Sequence, residues 1–597
     1  MPALHPPGYT GSLPWLRMAI PILALALVAA CGPDTLGDVE DEPTSTATMA
    51  EAADLLLLNG RVVTVDPEFG EVEALAVRGD RILAVGSTDE ISALAGSETE
   101  IIDLEGRLAI PGFIEGHGHF LGHGNARMIL DLSGTRSWDE LVELVAEAVE
   151  EAEPGSWITG RGWHQERWAD TGHTLFDGIP THHTLSEVSP DNPVVLTHAS
   201  GHGSIANARA MEEAGIHADT DDPPGGTIIR DDDGEPTGFL RQAAQGPVRA
   251  ALARHEEDMT DEERRTRLLR QIELAGEDAL AHGVTSYHDA GATFAEIDLF
   301  RELAEEGRLP VRLYAAVRGE SMDSMRERLP DYRLVGHANH FLTVRAIKQV
   351  IDGALGTHGA WFLEPYADNP GTAGLPQTDP EDLRAVARLA REHGFQVNTH
   401  AIGDRGNRET LDAYEEVLSA NGGVIPDHRW RIEHAQHLHP DDIPRFGELG
   451  VIASMQGIHG TSDGPWVEPR LGPERTRTGA YVWRDLLDSG AVICNGTDVP
   501  VEPISPIASF YASVSRMTPE GWRFHPEQAM TRMEALESYT IHCAYAGFAE
   551  DQVGSLTPGK LADIAVLDRD ILEIAEEEIP DARVDLTILG GEVRFRR

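Results

Sequence analysis

The alternation of apolar and polar residues divides the chain into two β-rich ends and a long middle of mixed pattern. Short apolar runs separated by turn residues occupy residues 53–110. Similar runs return near the C-terminus as KLADIAVLD and VDLTILGGEVRFRR. Runs of this length, bounded by Gly, Asn and Asp, are typical of β-strands. We therefore predict one small β-sandwich built from residues 53–110 together with residues 550–597.

Between these ends, β-like runs alternate with helical stretches, a pattern that favours βαβ units and a parallel sheet. The sequence predicts an α/β protein with a (β/α)₈ TIM barrel over residues 111–549 and a loop-rich insertion at about 125–265, after the first barrel strand. The eight predicted strands lie in LAIPGFIEGHGHF (108–120), GVTSYHDAG (283–291), LPVRLYAAVRG (309–319), LTVRAIKQVID (342–352), FQVNTH (395–400), RWRIEHA (429–435), GVIASMQ (450–456) and AVICNGTD (491–498).

The N-terminus carries an export pattern. Arg17 precedes an apolar run from Met18 to Ala30. This run is shorter than the roughly 20 residues that a membrane-spanning helix needs, so a secretory signal is the better interpretation. The small residues before Cys31 resemble a bacterial lipobox, in which that cysteine is lipidated; an ordinary signal peptide cut near Ala30 is the alternative. We predict a signal over residues 1–31, a solvated linker over 32–52, and a lipid-anchored protein of the bacterial cell envelope.

Composition narrows the function classes. The 597 residues include 48 basic and 100 acidic side chains, a formal net charge of −52. We expect no nucleic-acid partner, because affinity for phosphate backbones needs clustered Lys and Arg, and this acidic sequence has no such cluster. Contact with the membrane is expected through the lipid anchor only. With Cys31 assigned to the anchor, Cys494 and Cys543 remain, both in apolar segments, and we predict no disulfide framework.

The basic residues are almost all arginine, since the chain contains only two lysines, Lys348 and Lys560. Lys348 lies inside the predicted fourth barrel strand, where a charged side chain is unusual. An uncharged amine can react with CO₂ to form a carbamate, which a guanidinium cannot do. A carbamylated Lys348 would be an anionic bridging ligand for two metal ions. The alternative is a buried lysine paired with Asp352 or another acid.

Histidines and one aspartate point to a metal site. His117 and His119 are separated by one residue on the first predicted strand, so both side chains face the same side. His400, His434 and Asp498 each close a later predicted strand, at the end where barrel active sites are built. Four strand ends in the same register predict one convergent cluster at the barrel mouth rather than isolated buried polar residues.

These motifs resemble the amidohydrolase superfamily, and within it the family-3 branch that includes N-substituted formamide deformylases. The resemblance extends from ADLLLLNGRVVTVDP through PGFIEGHGHF, ASGHGSIAN, DGALGTHGAW, NTHAIGDRGN, RIEHAQHL and GTDVPVEP to GSLTPGKLADIAVLD. It implies a barrel with a small β-sandwich and one or two divalent ions, with Zn²⁺ as first choice and Mn²⁺ or Fe²⁺ as alternatives.

Carried over by position, the resemblance gives each candidate residue a role. The position of Asp498 resembles that of the family's general base, which is also a metal ligand. The position of Lys348 resembles that of the lysine that reacts with CO₂ to form the bridging carbamate. Two positions depart from the family pattern: Glu115 stands where Asp is usual, and His358 where many relatives carry Arg or Ser. The other implied metal ligands are His117, His119, His400 and His434; His202, His358 and His437 are candidates for substrate contact.

The hypothesis is hydrolysis of a non-peptide C–N bond in a small-molecule amide, N-formyl compound or cyclic amide. Zn²⁺ lowers the pKa of a bound water to about 7, and Asp498 would move the proton to the leaving amine. Two alternatives stay open: a mononuclear deaminase-like, esterase-like or lactonase-like activity on the same barrel, and a non-catalytic solute-binding lipoprotein. A homodimer is also left open.

Overall fold

The computed structural model describes residues 52–597 apart from 133, 166–167, 169–174, 177–178, 199–202, 224–225, 357 and 421–422. Cys31 and His202 lie outside the described residues. Within the described part of the chain, no helix combines the length and the apolar character that crossing a bilayer requires.

Both chain ends contribute to the β-sandwich. The strand Leu108–Pro111 pairs in parallel with Arg61–Val63 and antiparallel with Ile564–Leu567, which ties the two termini into one sheet. Apolar residues of this sheet pack against a second, N-terminal sheet, as Leu57 and Ile564 illustrate. The two sheets run, in strand order, as Arg81–Gly86, Ala74–Arg78, Ala53–Leu58 and Ala95–Asp103, and as Glu592–Arg596, Val584–Leu589, Ile564–Leu567, Leu108–Pro111, Arg61–Val63 and Glu71–Val72.

The barrel contains the eight strands that the sequence predicts, in sequential order and parallel to their neighbours. The first predicted strand is too long, because its beginning, Leu108–Pro111, pairs in the β-sandwich instead. Its two end strands meet at the C-terminal mouth. There the backbone N–H of Asp498 donates to the carbonyl of His117 over 2.8 Å, and that of His119 donates to Val499 over 2.9 Å. Strands 1 to 8 are Phe113–Gly118, Val284–Ala292, Arg312–Val317, Leu342–Val350, Gln396–Ala401, Arg431–His434, Ile452–Gln456 and Ile493–Gly496.

Helices cover the outside of the barrel, and local sequence fixes several of their ends. Thr260 and Glu263 form a capping box at the start of Asp261–Ala281, and Gly394 ends Pro380–His393 in the left-handed conformation with φ of 70°. The helices between and after the strands are Phe120–Met128, Asp261–Ala281, Phe294–Glu305, Met322–Tyr332, His337–His340, Pro380–His393, Asp404–Leu418, Ile443–Leu449, Gly457–Ser462, Gly464–Leu471, Pro473–Gly479, Trp483–Asp488, Pro506–Ser515, Arg532–Ser538 and Ile541–Ala546.

The segment between strands 1 and 2 folds around a sheet of its own. Tryptophans pack in its interior: Trp163 stacks on Trp168 with ring centroids 5.7 Å apart, and Trp138 lies 6.1 Å from Trp168. The sheet runs in the order Gly226–Arg230, Pro236–Gln242, Gly203–Ala206, Val194–His198, Ile158–Trp163 and Leu130–Asp131, with the helices Trp138–Glu151, His183–Val188, Ala208–Ala214 and Gly246–Asp258.

One prediction about the cysteines is wrong. Cys494 and Cys543 are joined by a disulfide, with their Cα atoms 4.7 Å apart. Both lie in one apolar cluster with Ile114, where strand 8 and the helix Ile541–Ala546 pack behind strand 1. The apolar surroundings identified them as buried but did not show that they are neighbours, because 49 residues separate them in the chain.

Candidate metal centre

Six side chains from five barrel strands meet at the C-terminal mouth. His117 lies on strand 1 and His119 directly after it, Lys348 lies on strand 4, and Asp498 follows strand 8. His400 and His434, on strands 5 and 6, have ring centroids 4.4 Å apart, and the ring of His434 lies 4.8 Å from that of His117. The structure therefore brings together every residue that the sequence analysis named as a candidate metal ligand.

Asp498 stands between the two histidines of strand 1. Its Oδ1 atom lies 3.5 Å from His117 Nε2 and 3.3 Å from His119 Nε2. Lys348 Nζ lies 3.5 Å from the same nitrogen of His117. These side chains are buried except His119, whose side chain is 30% exposed.

Glycines let strand 1 pack tightly against its neighbours. A Cβ atom added at Gly116 would lie 2.3 Å from the carbonyl oxygen of Asn495, and one at Gly118 would lie 2.4 Å from Tyr287 Oη. The alternation of Gly and His in this motif therefore has a packing reason. It allows His117 to lie deep in the barrel mouth while Gly116 and Gly118 pack closely against Asn495 and Tyr287.

Glu115, the position that departs from the family pattern, ties strand 1 to strand 8. Its carboxylate accepts hydrogen bonds from the backbone N–H and the hydroxyl of Thr497, over 2.7 and 2.9 Å. It also accepts the backbone N–H of His117. Burial raises the pKa of Glu115 to about 8. Its contacts hold the backbone on both sides of the site, next to His117 and Asp498.

Two of the histidines are held by side chains at the nitrogen that faces away from the centre. His117 Nδ1 lies 2.5 Å from Glu433 Oε2, and His434 Nδ1 lies 2.8 Å from Gln456 Oε1. A carboxylate or amide oxygen at this position accepts the Nδ1 proton, which fixes the tautomer and leaves Nε2 free to bind a metal. Histidine ligands of metals are commonly held in this way.

Burial also sets the charge of these groups. It lowers the pKa of His400 to about 3, and it lowers the pKa values of His117 and His434, so the imidazoles are neutral, as metal ligands must be. Burial lowers the pKa of Lys348 to about 8. Burial opposes ionisation of Asp498, but the neighbouring imidazoles of His119 and His117 hold its pKa well below the usual range.

The donor set fits a divalent ion. Asp498 Oδ1 and His400 Nε2 are buried and have no hydrogen-bond partner among the described residues. Such atoms are costly to bury unless something binds them. The ligating atoms of His117, His119 and Asp498 all lie within 4.8 Å of one another. Imidazole nitrogen and carboxylate oxygen are ligands that suit Zn²⁺ and other first-row divalent metals.

The candidate substrate-contact residues occupy different places. His202 lies outside the described residues. His358 forms a separate polar network, with its Nε2 3.1 Å from Asp368 Oδ1 and 3.0 Å from an Arg470 nitrogen. His437 is 2% exposed, packs near Phe362, and lines a cavity of about 290 Å³ on the same face of the barrel.

Sequence reasoning missed three residues of this site. Glu433 and Gln456 hold metal-facing histidines, and His459 lies on the short helix Gly457–Ser462 directly after strand 7. A ring nitrogen of His459 lies within 4.8 Å of ligating atoms of His434 and Asp498. The available signal was the position of His459, three residues beyond a predicted barrel strand. No such signal distinguished Glu433 or Gln456, because their role depends on which histidine they contact.

Replacing Glu433 tests how much its contact with His117 Nδ1 contributes to metal affinity. The Glu433→Gln variant exchanges a charged acceptor at His117 Nδ1 for a neutral one, and we expect metal affinity to fall by about 10- to 100-fold. Titration of the metal-free protein with Zn²⁺ against a competing chelator measures the affinity. The exposed Glu416, which pairs with Arg388, provides the control as Glu416→Gln. Equal affinity in both variants would show that Glu433 does not support the site.

Comparisons with known proteins agree with this architecture. Residues 100–595 match the model of the amidohydrolase family. The protein LONG AFTER FAR-RED 3 of Arabidopsis thaliana is 36% identical over 552 residues, which cover 90% of this chain and 91% of that protein. The N-substituted formamide deformylase of Arthrobacter pascens is 30% identical and is matched over 92% of this chain and 99% of its own length.

A solved structure shares the fold over most of the chain. It is an uncharacterised metal-dependent hydrolase from Pyrococcus furiosus, with a TM-score of 0.67 and 29% identity, matched over 87% of this chain and 100% of that one. The family match, the parallel barrel and the cluster of histidines with Asp498 at its mouth lead to one conclusion: the chain is a hydrolase that belongs to the amidohydrolase family of metal-dependent enzymes.

Proposed function

We propose that this protein hydrolyses a non-peptide C–N bond in a small amide, N-formyl compound or cyclic amide, using one or two divalent ions, with Zn²⁺ as first choice. The observation that carries the proposal is the position of Asp498, whose carboxylate lies within 3.5 Å of both His117 and His119. The 30% identity to an N-substituted formamide deformylase supports the choice of bond.

The proposed chemistry divides the work between the ion and the protein. When bound, a divalent ion activates a water for attack near neutral pH and polarises the scissile carbonyl. Asp498 accepts the proton of the attacking water as a new C–O bond forms. The C–N bond then breaks, and Asp498 returns the proton to the leaving nitrogen. One carboxylate therefore serves first as general base and then as general acid.

His117, His119, His400 and His434 would hold the metal, and a carbamate formed from CO₂ and Lys348 would bridge two ions. The location of Lys348 supports this role, since it is 4% exposed and its Nζ lies 3.5 Å from His117 Nε2. Its environment also favours the uncharged amine that CO₂ needs, because burial lowers the pKa of Lys348 to about 8.

Substrate contacts are proposed for His437 and for the two candidates His202 and His358. His437 is the best supported of these, since neither of its ring nitrogens has a hydrogen-bond partner in the described part of the chain. Export and lipidation at Cys31 are also proposals, and they rest on the pattern of residues 17–32 alone.

Metal removal tests the proposal directly. The Zn²⁺- or Mn²⁺-loaded protein should turn over at least one member of a library of N-acyl, N-formyl and cyclic amides. A chelator should abolish that turnover, and addition of the metal should restore it, because the ion activates the water. Product amine and acid are measured by mass spectrometry. Turnover that survives complete metal removal would contradict the mechanism, and ligand binding without any turnover would favour a solute-binding protein.

A further inference from the structure

The helix Gly457–Ser462, which follows strand 7, brings a histidine to the edge of the metal centre. Strand 7 itself contributes none of the predicted ligands. His459 is 6% exposed, and its Nε2 atom has no hydrogen-bond partner among the described residues. Its ring lies 6.3 Å from that of His434 and nearly parallel to it, at 22°. Ligating atoms of His434, His459 and Asp498 all lie within 4.8 Å of one another.

His459 Nδ1 also has a side-chain partner. Its Nδ1 lies 3.1 Å from the side-chain amide of Gln436, with the nitrogen Nε2 as the nearer atom. The two ends of an amide have nearly the same shape, so a half-turn of this group places its oxygen at the imidazole. In that orientation Gln436 would accept the Nδ1 proton and leave the Nε2 lone pair of His459 free.

A nearby histidine shows that burial alone does not produce this arrangement. His437 follows Gln436 directly and is 2% exposed, but neither of its nitrogens has a hydrogen-bond partner among the described residues. Its ring packs near Phe362 and Tyr481, at 5.8 and 5.4 Å, and it belongs to neither group of clustered donors. His459 therefore differs from His437 in two ways: a side chain contacts its Nδ1, and it belongs to a cluster of metal-binding donors.

We infer that His459 is a metal ligand, which forms with His434 and Asp498 a three-donor site for a divalent ion. This inference rests on the metal centre of the proposed function and adds a ligand from strand 7 to it. Asp498 belongs to both donor groups, the one with His117 and His119 and the one with His434 and His459. Its carboxylate has two oxygens and can serve both groups.

Metal content and cobalt spectra of the full chain test the assignment. After dialysis against a fixed free-metal concentration, we expect His459→Asn to hold one ion fewer per chain than the unaltered protein. The matched variant His437→Asn should hold the same number. His459→Cys keeps a metal-binding atom, so its Co²⁺ form should gain a thiolate-to-cobalt charge-transfer band in the near ultraviolet. The control His437→Cys should lack this band.

The outcomes separate the inference from the proposed function. Unchanged metal content in His459→Asn, together with no charge-transfer band in folded His459→Cys, would overturn the inference and leave the metal centre in place. An unaltered protein that binds neither Zn²⁺ nor Co²⁺ would instead contradict the proposed function. The cysteine variant gives a positive signal for ligation, so the test does not depend on whether His459→Asn folds.

Discussion

Asp498→Asn is expected to reduce turnover by about 10³- to 10⁴-fold, near the upper end of what a positioned acid or base contributes. The asparagine amide keeps the size of the side chain but cannot accept a proton from water or return one to the leaving nitrogen. Steady-state hydrolysis of the best library substrate, at saturating metal, measures the loss.

Asp442 provides the matched control for this experiment. It is 2% exposed and follows strand 6, but its carboxylate pairs with Arg408 and Arg445 rather than with the metal-centre histidines. Asp442→Asn should therefore keep the turnover of the unaltered protein, even where its thermal stability falls. Comparable turnover in Asp498→Asn and the unaltered protein would remove Asp498 from the proton-transfer role.

If Lys348 carries the proposed bridging carbamate, Lys348→Ala should lose that ligand and, with it, one of two metal ions. Turnover should fall by about 100-fold or more, because an ion that polarises the carbonyl contributes several kcal/mol. Metal per chain is measured by mass spectrometry after dialysis. Short carboxylic acids added to Lys348→Ala should restore part of the activity, since a carboxylate can occupy the place of the carbamate.

The low lysine content allows a direct test of the proposed carbamate. With only Lys348 and Lys560 in the chain, incubation with ¹³C-labelled bicarbonate should give a carbamate signal that disappears in Lys348→Ala. Lys560 lies in the turn before the strand Ile564–Leu567, where its Nζ donates to Ser555 Oγ over 2.7 Å. Lys560→Ala should therefore keep the signal, both ions and full activity. A Lys348→Ala protein that kept both ions would exclude the bridge.

Strand ends were the most predictable part of the molecule. Each barrel strand is a short apolar run, and the side chain that follows it lies at the C-terminal mouth in any parallel barrel. This rule places His400, His434 and Asp498 together without knowledge of distances. The period of two along a strand does the same for His117 and His119. These residues could be grouped because position along a strand fixes position in the barrel.

Position along a strand did not predict which side chains contact one another. Glu433 alternates with His434 on the same strand, and periodicity alone would have assigned it to the opposite side from the ligands. In the structure its carboxylate contacts His117 Nδ1, so Glu433 faces the ligands. The disulfide between Cys494 and Cys543 was mispredicted for a related reason, since both were correctly expected to be buried but their proximity depends on how a helix packs behind strand 1.

The sequence by itself determined the barrel, the β-rich ends and the face on which the polar cluster lies, because backbone periodicity and strand direction are local properties that one chain segment already carries. Only the tertiary structure decided which atoms meet there. It placed Asp498 within 3.5 Å of His117, gave His117 and His434 their Nδ1 partners, and brought His459 to the cluster from the helix after strand 7. Those contacts depend on how separate segments of the chain pack together, up to 316 residues apart for His117 and Glu433, which no local pattern encodes.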